Sequence, residues 1–158
     1  MKNRINYSHT NLIADDWQKL SEFYIKVFGC KPVFPIRNLK GVWVDKLTQC
    51  KDVEIKGIHL KLPGFRKNGP TIEIFEYNKN PDPANPKRIN NYGFSHIAFR
   101  TDNIHDLLDK VLLNGGQKYG ELIVKEIQGV GILTAIYVRD IEGNIIELQN
   151  WQVETIKD

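Results

Sequence analysis

The stretch Ser8-His9-Thr10-Asn11-Leu12-Ile13-Ala14-Asp15 returns 87 residues later as Ser95-His96-Ile97-Ala98-Phe99-Arg100-Thr101-Asp102, with Ser-His and the later Asp in register. At the same offset Leu20 falls on Leu107 and Gly29 on Gly116. A second pair closes each half: Gly69-Pro70-Thr71-Ile72-Glu73-Ile74 resembles Gly143-Asn144-Ile145-Ile146-Glu147-Leu148 at an offset of 74, so the second half is 13 residues shorter inside. Such self-similarity marks a duplicated unit, and a duplication dictates how residues distant in sequence meet. Both halves run through the same signals: a His-bearing apolar stretch, an acidic cap, an amphipathic segment, a Gly, and a final Gly-x-x-x-Glu.

Each signal has a local reading. Asp15 or Asp16 caps a helix running to about Phe28, because Trp17, Leu20, Tyr24 and Val27 recur at three and four residues and Gly29 follows as a stop. In the second half Asp102 or Asn103 opens a helix carrying Ile104, Leu107, Leu108, Val111 and Leu112 on one face, closed by Asn114-Gly115-Gly116. Short alternating runs over 41–47, 53–62, 71–77, 94–100, 133–139 and 144–150 read as strands. The fold class is therefore α+β, with a first module over 1–79 and a second over 92–151. Between them, 80–91 holds three prolines and almost no apolar residue and reads as a surface linker, while 152–158 reads as a tail.

Composition narrows the function classes. The 158 residues, 41% hydrophobic and 26% charged, suffice for one compact domain or two small modules. The net charge of +3 comes from 22 basic and 19 acidic residues scattered along the chain, so no basic tract marks a nucleic-acid face. The polar start MKNRINYSHTNL carries no apolar run of signal-peptide or membrane-span length, and a cytoplasmic protein without membrane contact is expected. Cys30 and Cys50 belong to no metal-binding or disulfide pattern and read as structural thiols.

Taken singly, a strand glutamate is satisfied by a solvated sheet face, and a strand histidine by one hydrogen bond. Recurrence changes this reading. Alternation puts Ile72 and Ile74 opposite Glu73, and Ile146 and Leu148 opposite Glu147, while His96 shares a face with Phe94 and Ala98. A pseudo-twofold relation can bring His9, Glu73, His96 and Glu147 around one point. Two imidazoles and two carboxylates suit a single divalent ion, Ni, Zn, Co, Mn or Fe(II), and an octahedral ion would keep two positions open. His105, in the first turn of the second helix, and His59, on a strand, do not recur and read as structural or solvated. His59 reaches the pocket if its strand turns that face inward.

At these residues the sequence resembles the vicinal oxygen chelate superfamily of glyoxalase I, methylmalonyl-CoA epimerase, extradiol dioxygenases and the fosfomycin and bleomycin resistance proteins. The resemblance is carried by Ser8-His9 with its Asp-capped helix, Phe23-Tyr24 and Phe28-Gly29, and by Thr71-Ile72-Glu73-Ile74-Phe75-Glu76. It continues in Gly93-Phe94-Ser95-His96-Ile97-Ala98-Phe99 and in the run from Val138 to Leu148, where Ile141 stands in place of the usual turn proline. It implies two tandem βαβββ modules forming a cupped, partly closed mixed sheet with helices outside, and His9, Glu73, His96 and Glu147 as metal ligands. A carboxylate at Glu73 favours a glyoxalase-type lyase or isomerase, with Glu147 or Glu73 as the catalytic base. The alternatives are an Fe(II) extradiol-type dioxygenase and a metal-free binding or antibiotic-resistance protein. The expected partner is a small-molecule substrate, and the expected assembly is a homodimer.

Overall fold

The computed structural model describes residues 5–80 and 87–152. The core of the expected linker, 81–86, and the tail residues 153–158 lie outside the described residues. The chain divides into two compact units, Met1–Asp82 and Pro83–Asp158. The fold is α+β, built on two mixed sheets.

The first unit runs β1 (His9–Ile13), α1 (Trp17–Phe28), β2 (Lys31–Lys40), α2 (Val42–Thr48), β3 (Glu54–Lys61) and β4 (Thr71–Tyr77). Its sheet is ordered β1-β4-β3-β2, with β1 parallel to β4 and the other pairs antiparallel. The Asp16 carboxylate caps α1 by accepting from the backbone N–H groups of Gln18 and Lys19 at 3.1 and 3.0 Å. Gly29, at φ 69°, ends the helix in the left-handed region that favours glycine. The apolar stripe of α1 lies on β3 and β4, where Leu20, Tyr24, Leu60, Ile72 and Ile74 are fully buried. Each such side chain contributes about 1.5–3 kcal/mol.

The second unit repeats this topology. It runs β5 (His96–Arg100), α3 (Ile104–Leu113), β6 (Gln117–Lys118), β7 (Ile123–Ile127), β8 (Gly131–Arg139) and β9 (Ile145–Gln152). β5 is parallel to β9, β9 antiparallel to β8, and β6 and β7 both line the outer edge of β8. Asn103 caps α3, which packs on β6, β8 and β9. The turn before β9 holds without a proline. The buried Asp140 accepts from the backbone N–H groups of Glu142 and Asn144 and from the Asn144 side chain at 2.8–3.0 Å, and Gly143 takes φ 81°.

One sequence expectation changes here. The run 41–47, expected as a strand, is helix α2. The adjacent Val42, Trp43 and Val44 favour a strand by propensity, but tertiary packing overrides that preference. Only Val44 of this helix is buried, against Val53, Ile55 and Phe75, and Thr48 donates back to the Val44 carbonyl at helical spacing. The Asp45 carboxylate then holds the exit by accepting from the N–H groups of Asp52 and Val53 at 3.0 and 3.1 Å. Strand β2 carries Pro32 and Pro35, which a central strand would not admit. It tolerates them as an edge strand whose register shifts between Val33 and Arg37.

Cys30 is buried, which pushes its thiol up to about 12, whereas Cys50 is exposed. Since the thiolate is the reactive form, an aromatic disulfide reagent at neutral pH is expected to titrate one thiol in the native protein and two after denaturation. Two fast thiols in the native state would contradict the burial of Cys30.

Candidate functional site

Each histidine identified by the repeat begins the first strand of its unit, and each glutamate lies near the middle of the last strand of that unit's chain order. The pairings are identical. His9 lies opposite Thr71, two residues before Glu73, and His96 lies opposite Ile145, two residues before Glu147. Because neighbouring strands pair in parallel, the same two-residue step puts both side chains on one face. The isoleucines and leucine flanking each glutamate are buried at 0–1% exposure on the helix-covered face, which fixes the carboxylates on the other.

In the first unit His9 Nε2 stands 3.2 Å from Glu73 Oε2. Glu73 is buried and has two further partners: Asn11 Nδ2 donates to Oε2 at 3.2 Å, and His59 Nε2 lies 3.0 Å from Oε1. His59 Nδ1 in turn meets Thr71 Oγ1 at 3.3 Å, and its ring packs edge-on against Phe75 at 5.8 Å. Burial holds the His59 imidazole below its ordinary pKa, against the upward pull of Glu73.

In the second unit His96 Nε2 lies 3.3 Å from Glu147 Oε2, and its Nδ1 meets Ser95 Oγ at 3.3 Å. The Ser95 hydroxyl donates to the Ile89 carbonyl at 2.9 Å. Tyr137 lies directly across from Glu147, its ring edge-on to His96 at 5.2 Å, and burial raises its phenol pKa, with a smaller contribution from Glu147.

The structure thus joins His9 with Glu73 and His96 with Glu147. His9 and His59 address different oxygens of Glu73 with ring centroids 6.1 Å apart, so they flank the carboxylate. Among the described residues no three His, Cys, Asp or Glu side chains form a metal-holding group. His105 is exposed on α3. Sequence alone reads His59 as structural or solvated unless its strand turns inward, and β3 does turn it toward Glu73. The strand register that faces it to Glu73 also faces Tyr137 to Glu147, so its counterpart in the repeat is a tyrosine and similarity could not flag it.

The two halves diverge in one further respect. The offset between equivalent residues falls from 87 at the two histidines to 78 at His59 and Tyr137 and to 74 at the glutamates. Most of the extra length of the first unit therefore precedes β3, where α2 lies. That helix borders a cavity of about 350 Å³ whose other walls come from the His9, His59 and Glu73 face of the sheet.

The chain belongs to the Glyoxalase/Bleomycin resistance protein/Dioxygenase superfamily, whose family model matches residues 6–148. Solved structures share the fold. A glyoxalase family protein from Bacillus cereus superposes with a TM-score of 0.78 at 16% identity, covering 95% of this chain and 97% of its own. A glyoxylase/bleomycin resistance protein/dioxygenase domain from Frankia sp. EAN1pec gives 0.60 at 16% identity, over 95% of this chain and 100% of that one. The fosfomycin resistance protein FosX from Listeria monocytogenes gives 0.58 at 18% identity, over 98% of each chain. No curated protein matches the chain. Members of the superfamily bind small molecules, commonly use a divalent metal, and include both enzymes and non-enzymatic resistance proteins. No helix among the described residues is long and apolar enough to cross a membrane.

Proposed function

We propose that this chain is a metal-dependent lyase or isomerase of the glyoxalase type that moves a proton on a carbon next to a carbonyl of a small oxygen-rich substrate. One divalent ion, Ni, Zn, Co, Mn or Fe(II), is held by His9, Glu73, His96 and Glu147, and the protein acts as a homodimer. The observation carrying this reading is the recurrence of a His–Glu pair at the same strand register in both units.

Each His–Glu pair by itself has the spacing of two adjacent ligands to such an ion. Two adjacent ligands with bonds of about 2.1 Å stand roughly 3.0–3.4 Å apart, and the two His–Glu pairs are separated by 3.2 and 3.3 Å. When bound, the ion supplies Lewis-acid polarisation of the substrate carbonyl. Fourfold His and Glu ligation favours proton transfer over oxygen activation, for which a three-residue triad suffices.

The two carboxylates differ in freedom. Glu73 is buried and tied by His9, Asn11 and His59. Ala98 replaces Asn11 and Tyr137 replaces His59 in the second unit, so among the described residues Glu147 has His96 as its polar side-chain partner. A base must reach its proton and then give it back. Glu147 therefore takes the proton from the carbon beside the carbonyl as the C–H bonding pair moves toward that carbonyl, and returns it to the same or the adjacent carbon. Glu73 holds its position.

Elemental analysis tests this reading directly. Protein made without a histidine tag and without added metal is expected to carry a divalent ion that His9→Ala and His96→Ala both remove. Wild-type protein free of metal would overturn it and leave a metal-free binder. Metal-loaded protein that consumes oxygen with catechols would leave the dioxygenase.

A further inference from the structure

The cavity bordered by α2 is asymmetric in its chemistry. Its floor is His9, His59 and Glu73, while Trp43, Leu47, Phe75 and Tyr77 form an apolar and aromatic wall. One obligate cation faces it. Arg37, on β2 beside the register shift, lines the cavity and donates to the Pro35 carbonyl, and no carboxylate pairs with it among the described residues. Trp43 and Leu47 are 57% and 75% exposed, an unfavourable state for large apolar side chains that border a concave site.

We propose that this cavity selects a small monoanion with an apolar body about the size of one aromatic ring, its carboxylate on Arg37 and its body against Trp43 and Leu47 of α2. A guanidinium presents a planar fork of donors that matches a carboxylate in two parallel hydrogen bonds. A single such group, with no lysine or second arginine in the lining, suits one negative charge better than a phosphate dianion. The volume of about 350 Å³ lies at the small end of ligand sites and holds a one-ring acid without room for a large conjugate. An aromatic or branched body gains dispersion and burial against Trp43, Phe75 and Tyr77. The inference names the substrate class of the proposed enzyme and rests on that reading for the chemistry at His9 and Glu73, but the binding preference stands on the cavity alone.

Calorimetric titration with phenylacetate, phenylacetamide and acetate, on protein as purified and after chelator treatment, tests it. Phenylacetate is expected to bind about tenfold or more tighter than the uncharged amide in both preparations, and far tighter than acetate. Arg37→Gln should abolish the preference while leaving the amide unchanged, Arg37→Lys should restore part of it, and Trp43→Ala should weaken both aromatic ligands together. Equal binding of acid and amide, an acid preference that survives Arg37→Gln, or one that vanishes with the metal would overturn the proposal. Were the protein to prove metal-free yet keep the Arg37-dependent preference, the catalytic reading would fail and this one would stand.

Discussion

Glu147→Gln is expected to leave fold and metal content near wild type and to lower turnover by about 10²–10⁴-fold, the usual contribution of a positioned base. The substitution preserves shape, and the amide oxygen still offers a ligand atom. The strand on either side is anchored, since Ile146 and Leu148 are completely buried beneath α3. What is lost is the ability to accept a proton. The measurement is twofold: solvent deuterium entering the carbon beside the carbonyl of a one-ring 2-oxo acid, and metal per chain. Undiminished deuterium entry with full metal content would remove Glu147 from the role of base. The same change at Glu73 strikes a carboxylate already engaged by His9, Asn11 and His59, so there metal content is expected to fall together with turnover.

Gly57→Ala is expected to be the most damaging single-methyl change in the first unit. A Cβ at Gly57 would lie 2.0 Å from the Ile74 carbonyl oxygen and 2.9 Å from the Phe75 Cα, both backbone atoms, and 2.5 Å from the Phe75 ring. Backbone cannot step aside as a flexible side chain can, so β3 and β4 must separate where Gly57 pairs with Phe75. Two residues along, the same pairing faces His59 to Glu73. Overpacking a strand pair in this way costs about 3 kcal/mol or more. For a chain of this size that lowers the midpoint of thermal unfolding by roughly 6–12 °C. A melting curve within a degree or two of wild type would show that the two strands are not as closely apposed as the structure has them.

Much of this molecule is legible in its sequence wherever the determinant is local. Asp16, Gly29 and Asn103 announce α1 and α3 because caps act within a few residues. His9, Glu73, His96 and Glu147 emerge because duplication writes the same long-range geometry twice. Legibility ends where pairing between distant strands decides. Pro32 and Pro35 mask β2, whose place at the sheet edge depends on β3. Val42, Trp43 and Val44 mimic a strand because nothing nearby in sequence reports that only Val44 has a core to enter. His59 gains its partner from register with β4, and its tyrosine counterpart hides it from any comparison of the halves. The cavity was equally hidden, since one wall is the segment whose structure the local pattern misassigns.

The position of α2 separates two inheritances. It leaves the sheet at the edge strand and rejoins it before β3, outside the β1–β4–β3 pairings that aim His9, Glu73 and His59. Insertions, deletions or wholesale exchange between residues 41 and 53 can therefore redraw the guest's outline while the reacting end stays in place. A lineage carrying this architecture can change its diet without relearning its chemistry, and a combinatorial library confined to those positions samples new guests on an unaltered hearth.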